Sequence, residues 1–290
     1  MNQRRRNVLP LNKVKVDDFF WNKYTRLVTD QIIPYQWEAL NDRVEDAEPS
    51  HCIKNFEIAA GLCKGEFEGA VFQDTDLAKW LEAVAYSLAY EPDAELEKRA
   101  DAMIDLIGKA QQPDGYLDTY FIIKEPDKKF CNLREGHELY TAGHFMEAAV
   151  AYYQVTGKEK FLHIMQRVAD LICEVFHQEA FQQAVPGHEE VEIGLIRLYQ
   201  VTGERRYLEM AKDFVDTTVE PVVTYESGLL GGTDVIRLSG KRMDAEAWSS
   251  DALYAEKRVP LKETELTLVP YCYWGNRKTG EMQTWMKFLQ

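Results

Sequence analysis

Apolar and polar positions follow a helical period in three stretches of the chain, and two of these are near copies. Ala151-Tyr-Tyr-Gln-Val-Thr-Gly157 recurs as Leu198-Tyr-Gln-Val-Thr-Gly203, with Gln200 46 residues after Gln154 (200 − 154). Each copy runs into an apolar stripe, Phe161 to Val175 and Tyr207 to Val219, headed by basic residues: Lys158 and Lys160 in one, Arg205 and Arg206 in the other. A glycine after the last periodic residue suits a helix C-terminus, so each copy predicts helix, tight turn, helix. A looser third copy runs from Trp80 to Tyr90, breaks at Glu91-Pro-Asp93 and resumes through Leu96, Ala100, Met103, Ile104 and Ile107. Such hairpins cannot each bury two apolar faces alone, so they should stack as a solenoid or a toroid of helix pairs.

The connecting segments are rich in turn residues: 72–76, 111–118 and 182–188. Stacked hairpins gather such loops at one rim, where a pocket can form. After about Glu220 the pattern changes. Val222, Val223 and Tyr225, then 228–236 and 266–274, read as strands broken by glycine and proline. The expected organisation is a helical-hairpin domain over 1–220 and a β-rich segment over 221–290.

Composition narrows the partners. Of 290 residues, 34 are Lys or Arg and 48 are Asp or Glu, a net charge of −14 that repels phosphate backbones and anionic lipid surfaces. Neither nucleic acid nor a membrane is an expected partner. The basic opening MNQRRR is not followed by an apolar run, because Asn12, Lys13, Lys15, Asp17 and Asp18 interrupt it, so no secretory leader is expected. Cys52, Cys63, Cys131, Cys173 and Cys272 are odd in number and scattered, without a C-x-x-C pair. They write no local disulfide framework or thiolate zinc site, and a reducing cytoplasm is the expected location.

Several residue groups carry candidate chemistry. His137 and His144 stand two helical turns apart, a spacing that fits core or capping histidines, hydroxyl binding in a sugar pocket, or a metal. His188 and Glu192 have i, i+4 spacing after Pro186-Gly187; the acidic residues also suit a helix N-terminus. Phe72, Trp80, Tyr116 and Tyr120 supply flat apolar faces of the kind sugar rings pack on, and Pro113-Asp114-Gly115 fixes a turn that presents Tyr116. Asp74, Asp76, Asp114, Asp118, Glu135, Glu138, Glu189 and Glu190 all lie where an acid–base pair is conceivable, and spacing selects none of them. No nucleophile-elbow, P-loop or dinucleotide fingerprint is present.

Four motifs together resemble glycoside hydrolase family 127, the β-L-arabinofuranosidases. They are Val71-Phe-Gln-Asp-Thr-Asp-Leu-Ala-Lys-Trp80, Gln111-Gln-Pro-Asp-Gly-Tyr-Leu-Asp118, Gly136-His-Glu-Leu-Tyr140 with Gly143-His144, and Leu268-Val-Pro-Tyr-Cys-Tyr-Trp-Gly-Asn-Arg-Lys-Thr-Gly-Glu-Met282. The resemblance implies an (α/α)6 toroid followed by β-jelly-roll domains, and retaining hydrolysis of terminal β-L-arabinofuranosides by a zinc-bound cysteine with a glutamate acid/base. It also implies that His137 and His188 bind substrate hydroxyls and that Phe72 and Gln73 belong to a pocket loop; Tyr116 joins them as a substrate-binding residue. The family's zinc ligands, nucleophile and acid glutamate lie in the second half of its toroid. This chain passes from its third hairpin almost directly to the closing β motif, and no cysteine here has the family's Cys-Cys context. The expectation is therefore an incomplete toroid with a short C-terminal β segment. It keeps an arabinofuranoside-binding wall but no catalytic residue and no zinc, so hydrolysis is impaired or lost. The alternatives are a non-catalytic helical module that binds sugar or self-associates through exposed helical edges, and half of a two-chain glycosidase.

Overall fold

The computed structural model describes residues 13–181 and 184–218 and five strand segments between 221 and 283. The chain divides into two compact units, Met1–Phe214 and Val215–Gln290.

The first unit is built of helices: α1 Phe19–Leu27, continued through a π-helical turn at Val28–Ile32 into α2 Ile33–Leu40; α3 Cys52–Ala59; α4 Asp74–Tyr90; α5 Ala94–Ala110; α6 Thr119–Ile123; α7 Glu138–Thr156; α8 Lys160–Phe176; α9 Val191–Thr202; and α10 Arg205–Thr218. The three expected hairpins are α4–α5, α7–α8 and α9–α10. Helix α7 packs against α4 on one side and α9 on the other, forming one layer. In the other layer α5 packs on α8, and α8 meets α10 through the rings of Phe176 and Phe214, 5.2 Å apart.

The repeat has a mechanical meaning. Gly157 and Gly203 end α7 and α9 at φ 74° and 75°, the left-handed conformation that glycine adopts without a Cβ penalty. The basic residues after each turn then reach the outer helix of the preceding hairpin. Lys158 pairs with Glu97 and Asp101, Lys160 with Asp105, and Arg206 with Asp170. Tyr152 of α7 and Tyr207 of α10 donate their hydroxyls to Asp101 and Asp170 at 2.7 and 2.6 Å, so each of these hairpins is pinned to the one before it.

The first residue of α4, Asp74, is a buried carboxyl group that accepts from the Thr119 backbone N–H at 2.7 Å and from its hydroxyl, tying α6 to the head of α4. Asp93 caps α5 by accepting from the N–H groups of Glu95 and Leu96, both at 3.0 Å. The core between the layers is filled by Leu77, Leu81, Ile107, Phe145, Met146, Phe161, Met165 and Leu195. Helix α1 is the exception: none of its residues is buried, and Phe19, Phe20, Trp21 and Tyr24 face outward. No helix among the described residues is long and apolar enough to cross a membrane.

In the second unit β1 Pro221–Glu226, β2 Asp234–Gly240 and β3 Glu256–Val259 form an antiparallel sheet in the order β1-β2-β3, with Tyr225 opposite Ile236 and Val235 opposite Arg258. β4 Trp274–Gly275 and β5 Met282–Gln283 make a second antiparallel pair. The expected strand stretches at 228–233 and 266–273, with Cys272, lie outside the described residues.

Candidate functional site

The site lies where α4, α7 and α9 begin. Phe72, His137 and His188 each stand just before one of these helices, so stacking the helices side by side brings the three together. The Phe72 and His137 rings are 5.1 Å apart and the His137 and His188 rings 4.7 Å, with Tyr140 of α7 5.1 Å from His188. Phe72 is 44% exposed. Three residues scattered along the sequence thus form one imidazole-and-aromatic wall.

His137 holds a left-handed backbone, φ 56°, which is costly for a residue with a Cβ and turns its ring out of the helical path. Its Nδ1 lies 2.7 Å from the Glu135 carbonyl oxygen. A carbonyl only accepts, so Nδ1 donates to it, and in the neutral imidazole Nε2 is then an acceptor, able to take a hydrogen bond from a hydroxyl. Because His137 sits before α7 rather than in it, it does not share a helical face with His144 as the spacing suggested; Tyr140 bridges them, its ring 5.9 Å from His137 and 4.5 Å from His144. His188 and Glu192 also part company, since α9 starts only at Val191 and Glu192 is buried.

Gln73 is turned to local work. Its amide donates to Asp76 at 2.7 Å and to Ser50 at 3.3 Å, and its carbonyl accepts from the Ala70 N–H at 3.1 Å, bracing the loop that carries Phe72. Tyr116 is only 2% exposed, so it lies behind the wall rather than on it. Its hydroxyl donates to Glu138, whose carboxylate also accepts from the Phe130 N–H at 2.8 Å. Burial raises Glu138 to about 7 and Asp74 to about 6, and raises Asp118 strongly, with Asp74 and Glu138 adding repulsion. The turn at Pro113-Asp114-Gly115 therefore delivers Tyr116 to a buried carboxyl that needs a donor, a demand that turn chemistry does not reveal.

Farther along α7 and α9, sequence reasoning passed over Glu147 and Arg197. Arg197 Nε stands 2.7 Å from Glu147 Oε1, and its guanidinium donates to the Tyr86 hydroxyl at 3.2 Å. Lys79 of α4 donates to the Tyr140 hydroxyl at 3.0 Å. Burial and the proton-sharing contact with Glu190 lift Glu147 to about 7, while burial and Lys79 push His144 down to about 4, leaving its imidazole neutral at pH 7. The i, i+4, i+7 spacing of Tyr140, His144 and Glu147 along α7 was the available signal.

The thiols do not form a zinc centre among the described residues. Cys52 and Cys173 are buried, with burial raising Cys52 far above a reactive range and Cys173 to about 12. No described cysteine joins a cluster of metal-ligating side chains. The described residues thus do not fit the thiolate-held zinc that the family resemblance implies.

Stacked helical hairpins thus carry an imidazole-and-aromatic wall at the heads of α4, α7 and α9. The family model for the β-L-arabinofuranosidase GH127 catalytic domain matches residues 13–256. The chain belongs to this family. It is 41% identical over 220 residues to a non-reducing end β-L-arabinofuranosidase of Bifidobacterium longum subsp. longum, a match covering 70% of this chain and 33% of that protein. The crystal structure of a GH127 β-L-arabinofuranosidase from Geobacillus stearothermophilus T6 superposes with a TM-score of 0.70 at 56% identity, covering 71% of this chain and 33% of that one. The GH127 β-arabinofuranosidase BT3674 gives a TM-score of 0.65 at 35% identity, covering 72% and 33%. The chain therefore spans about a third of the length of these relatives.

Proposed function

We propose that this glycoside hydrolase family member binds a terminal β-L-arabinofuranosyl group on the wall formed by Phe72, His137 and His188, and that the chain by itself hydrolyses it poorly or not at all. Gln73 braces the Phe72 loop, and Tyr116 supports the wall from behind through Glu138. The helical array is read as part of an (α/α)6 toroid and the C-terminal strands as part of a jelly roll.

The observation that carries this reading is the convergence of three rings from three hairpins, with His137 and His188 4.7 Å apart. An imidazole with one fixed donor and one free acceptor suits the alternating donors and acceptors of a sugar, and an exposed aromatic face suits its C–H face. The impaired-hydrolysis part rests on chemistry. Burial holds Cys52 and Cys173 as thiols and no described cysteine joins a metal-ligating cluster, which supports the absence of a metal-bound thiolate nucleophile from this part of the chain.

The test uses the full chain. L-arabinose or an aryl β-L-arabinofuranoside should raise the melting temperature in a saturable way, and His137→Ala should abolish that gain while leaving the unliganded melt within a degree or two. A sugar-induced gain that survives His137→Ala overturns the assigned wall. Brisk aglycone release by wild type, in the presence of zinc and a thiol reductant, overturns the claim of impaired hydrolysis.

A further inference from the structure

Beyond the Phe72–His137–His188 wall, α7 and α9 bring three more ligating side chains to one point. His144, Glu147 and Glu190 each offer a donor atom, and the three atoms lie within 4.8 Å of one another. The sequence arranges this simply. His144 and Glu147 stand i, i+3 on α7, and glycine at 143 lets Glu190 come close, since a Cβ there would sit 2.6 Å from the Glu190 carbonyl oxygen.

The three side chains are withdrawn from solvent, at 14%, 11% and 16% exposure respectively. Yet two of their buried atoms, His144 Nε2 and Glu190 Oε1, have no hydrogen-bond partner. His144 Nδ1 stands 3.1 Å from that Glu190 oxygen, but off the line of a hydrogen bond. Buried polar atoms are nearly always matched, so two orphans in one cluster mark a missing partner. Electrostatics says what kind of partner. Two carboxyls packed against each other repel when ionised, and a proton shared between them relieves that only in part. Arg197 Nε stands 2.7 Å from Glu147 Oε1, one positive charge against the two carboxyls.

We infer that His144, Glu147 and Glu190 form a binding site for a divalent transition cation of the zinc or manganese kind. One imidazole nitrogen with two carboxylates is the donor set of such an ion, neither the thiolate set of a structural zinc nor the all-oxygen cage of calcium. A cation there gives Glu190 Oε1 the partner it lacks and neutralises the pair. It is distinct from the thiolate centre of the family resemblance, because no cysteine takes part.

Manganese is the probe, because thiols hold it weakly and Cys63 and Cys131 then stay out of the measurement. The full chain, stripped with a chelator, is titrated with Mn2+ while the free aqua ion is followed by electron paramagnetic resonance. One saturable site per chain is expected, emptied by competing Zn2+. His144→Gln and Glu190→Gln should each weaken it at least about tenfold, since loss of even a supporting group costs that much. Circular dichroism melts establish that the variants fold, and if one does not, the other decides. Absence of saturable uptake, or uptake equal to wild type in a folded variant, overturns the site. No sugar enters the assay and His137→Ala should bind Mn2+ normally, so this inference and the sugar-binding reading fail separately.

Discussion

Glu138→Gln should flatten one part of the pH dependence of stability, and its size follows from the site. Glu138 is 4% exposed and its carboxyl is raised from 4.5 to about 7, chiefly by burial. Between those pH values the unfolded chain has released this proton and the folded chain has not. Stability therefore falls as pH rises through the window, the reverse of the usual salt-bridged carboxylate. At ~1.36 kcal/mol per tenfold change in proton affinity, ionising Glu138 costs the folded state about 3 kcal/mol, or roughly 6–12 °C in melting temperature for a domain of this size. Other groups pull both ways. Glu147 at about 7 adds to the loss, whereas His144 at about 4 makes stability rise with pH up to its unfolded value near 6.5. The informative quantity is thus the difference between wild type and Glu138→Gln, measured by calorimetric melts from pH 5 to 8.5. Glutamine keeps a carbonyl for the Tyr116 hydroxyl and cannot ionise. Relative to wild type, the variant should gain stability steadily from pH 5 to about 7 and level off by about pH 8. A flat difference curve, or one of opposite slope, would refute the buried-carboxyl account of Glu138.

Gly194→Ala tests the close approach of α7 and α9. An added Cβ would lie 2.9 Å from the Gly143 carbonyl oxygen and 2.9 Å from Met146 Cβ. The overpacking cost of roughly 1–3 kcal/mol exceeds the ~1 kcal/mol gained in helix propensity. The melt should drop by a few degrees, and an unchanged or higher melting temperature would show that the helices have slack. Tyr207→Phe removes the hydroxyl donated to Asp170 at 2.6 Å; a loss of about 1 kcal/mol in a urea titration is expected, and no loss would mean the pinning of the repeats is ornamental. The exposed aromatic stripe of α1 favours self-association. Light scattering should show mass rising with concentration, less so in Phe20→Ser/Tyr24→Ser, and a strict monomer at every concentration removes that reading.

The helical hairpins were legible because their cause is local. A 3.6-residue period, a glycine at the left-handed C-terminal position and an aspartate cap at Asp93 all act within one or two turns, and Gly157, Gly203 and α5 follow them. His137, His188 and Phe72 were legible for another reason, as motif positions at helix starts. Their meeting was not, because it depends on three helices packing in one layer and on a left-handed backbone at His137.

Tyr116 and Glu147 show what only the tertiary structure decided. A turn that presents a tyrosine reads the same from the sequence whether its ring faces a ligand or the core. The buried Glu138, 22 residues on, takes its hydroxyl and sets the outcome. Glu147 looked like one more acidic residue in a chain with 48 of them, until the glycine contact at 143 carried Glu190 against it. Local sequence dictates which backbone conformations are cheap. Which side chains lose water together, and so which carboxyls keep protons or gather a cation, depends on contacts between residues far apart in the chain.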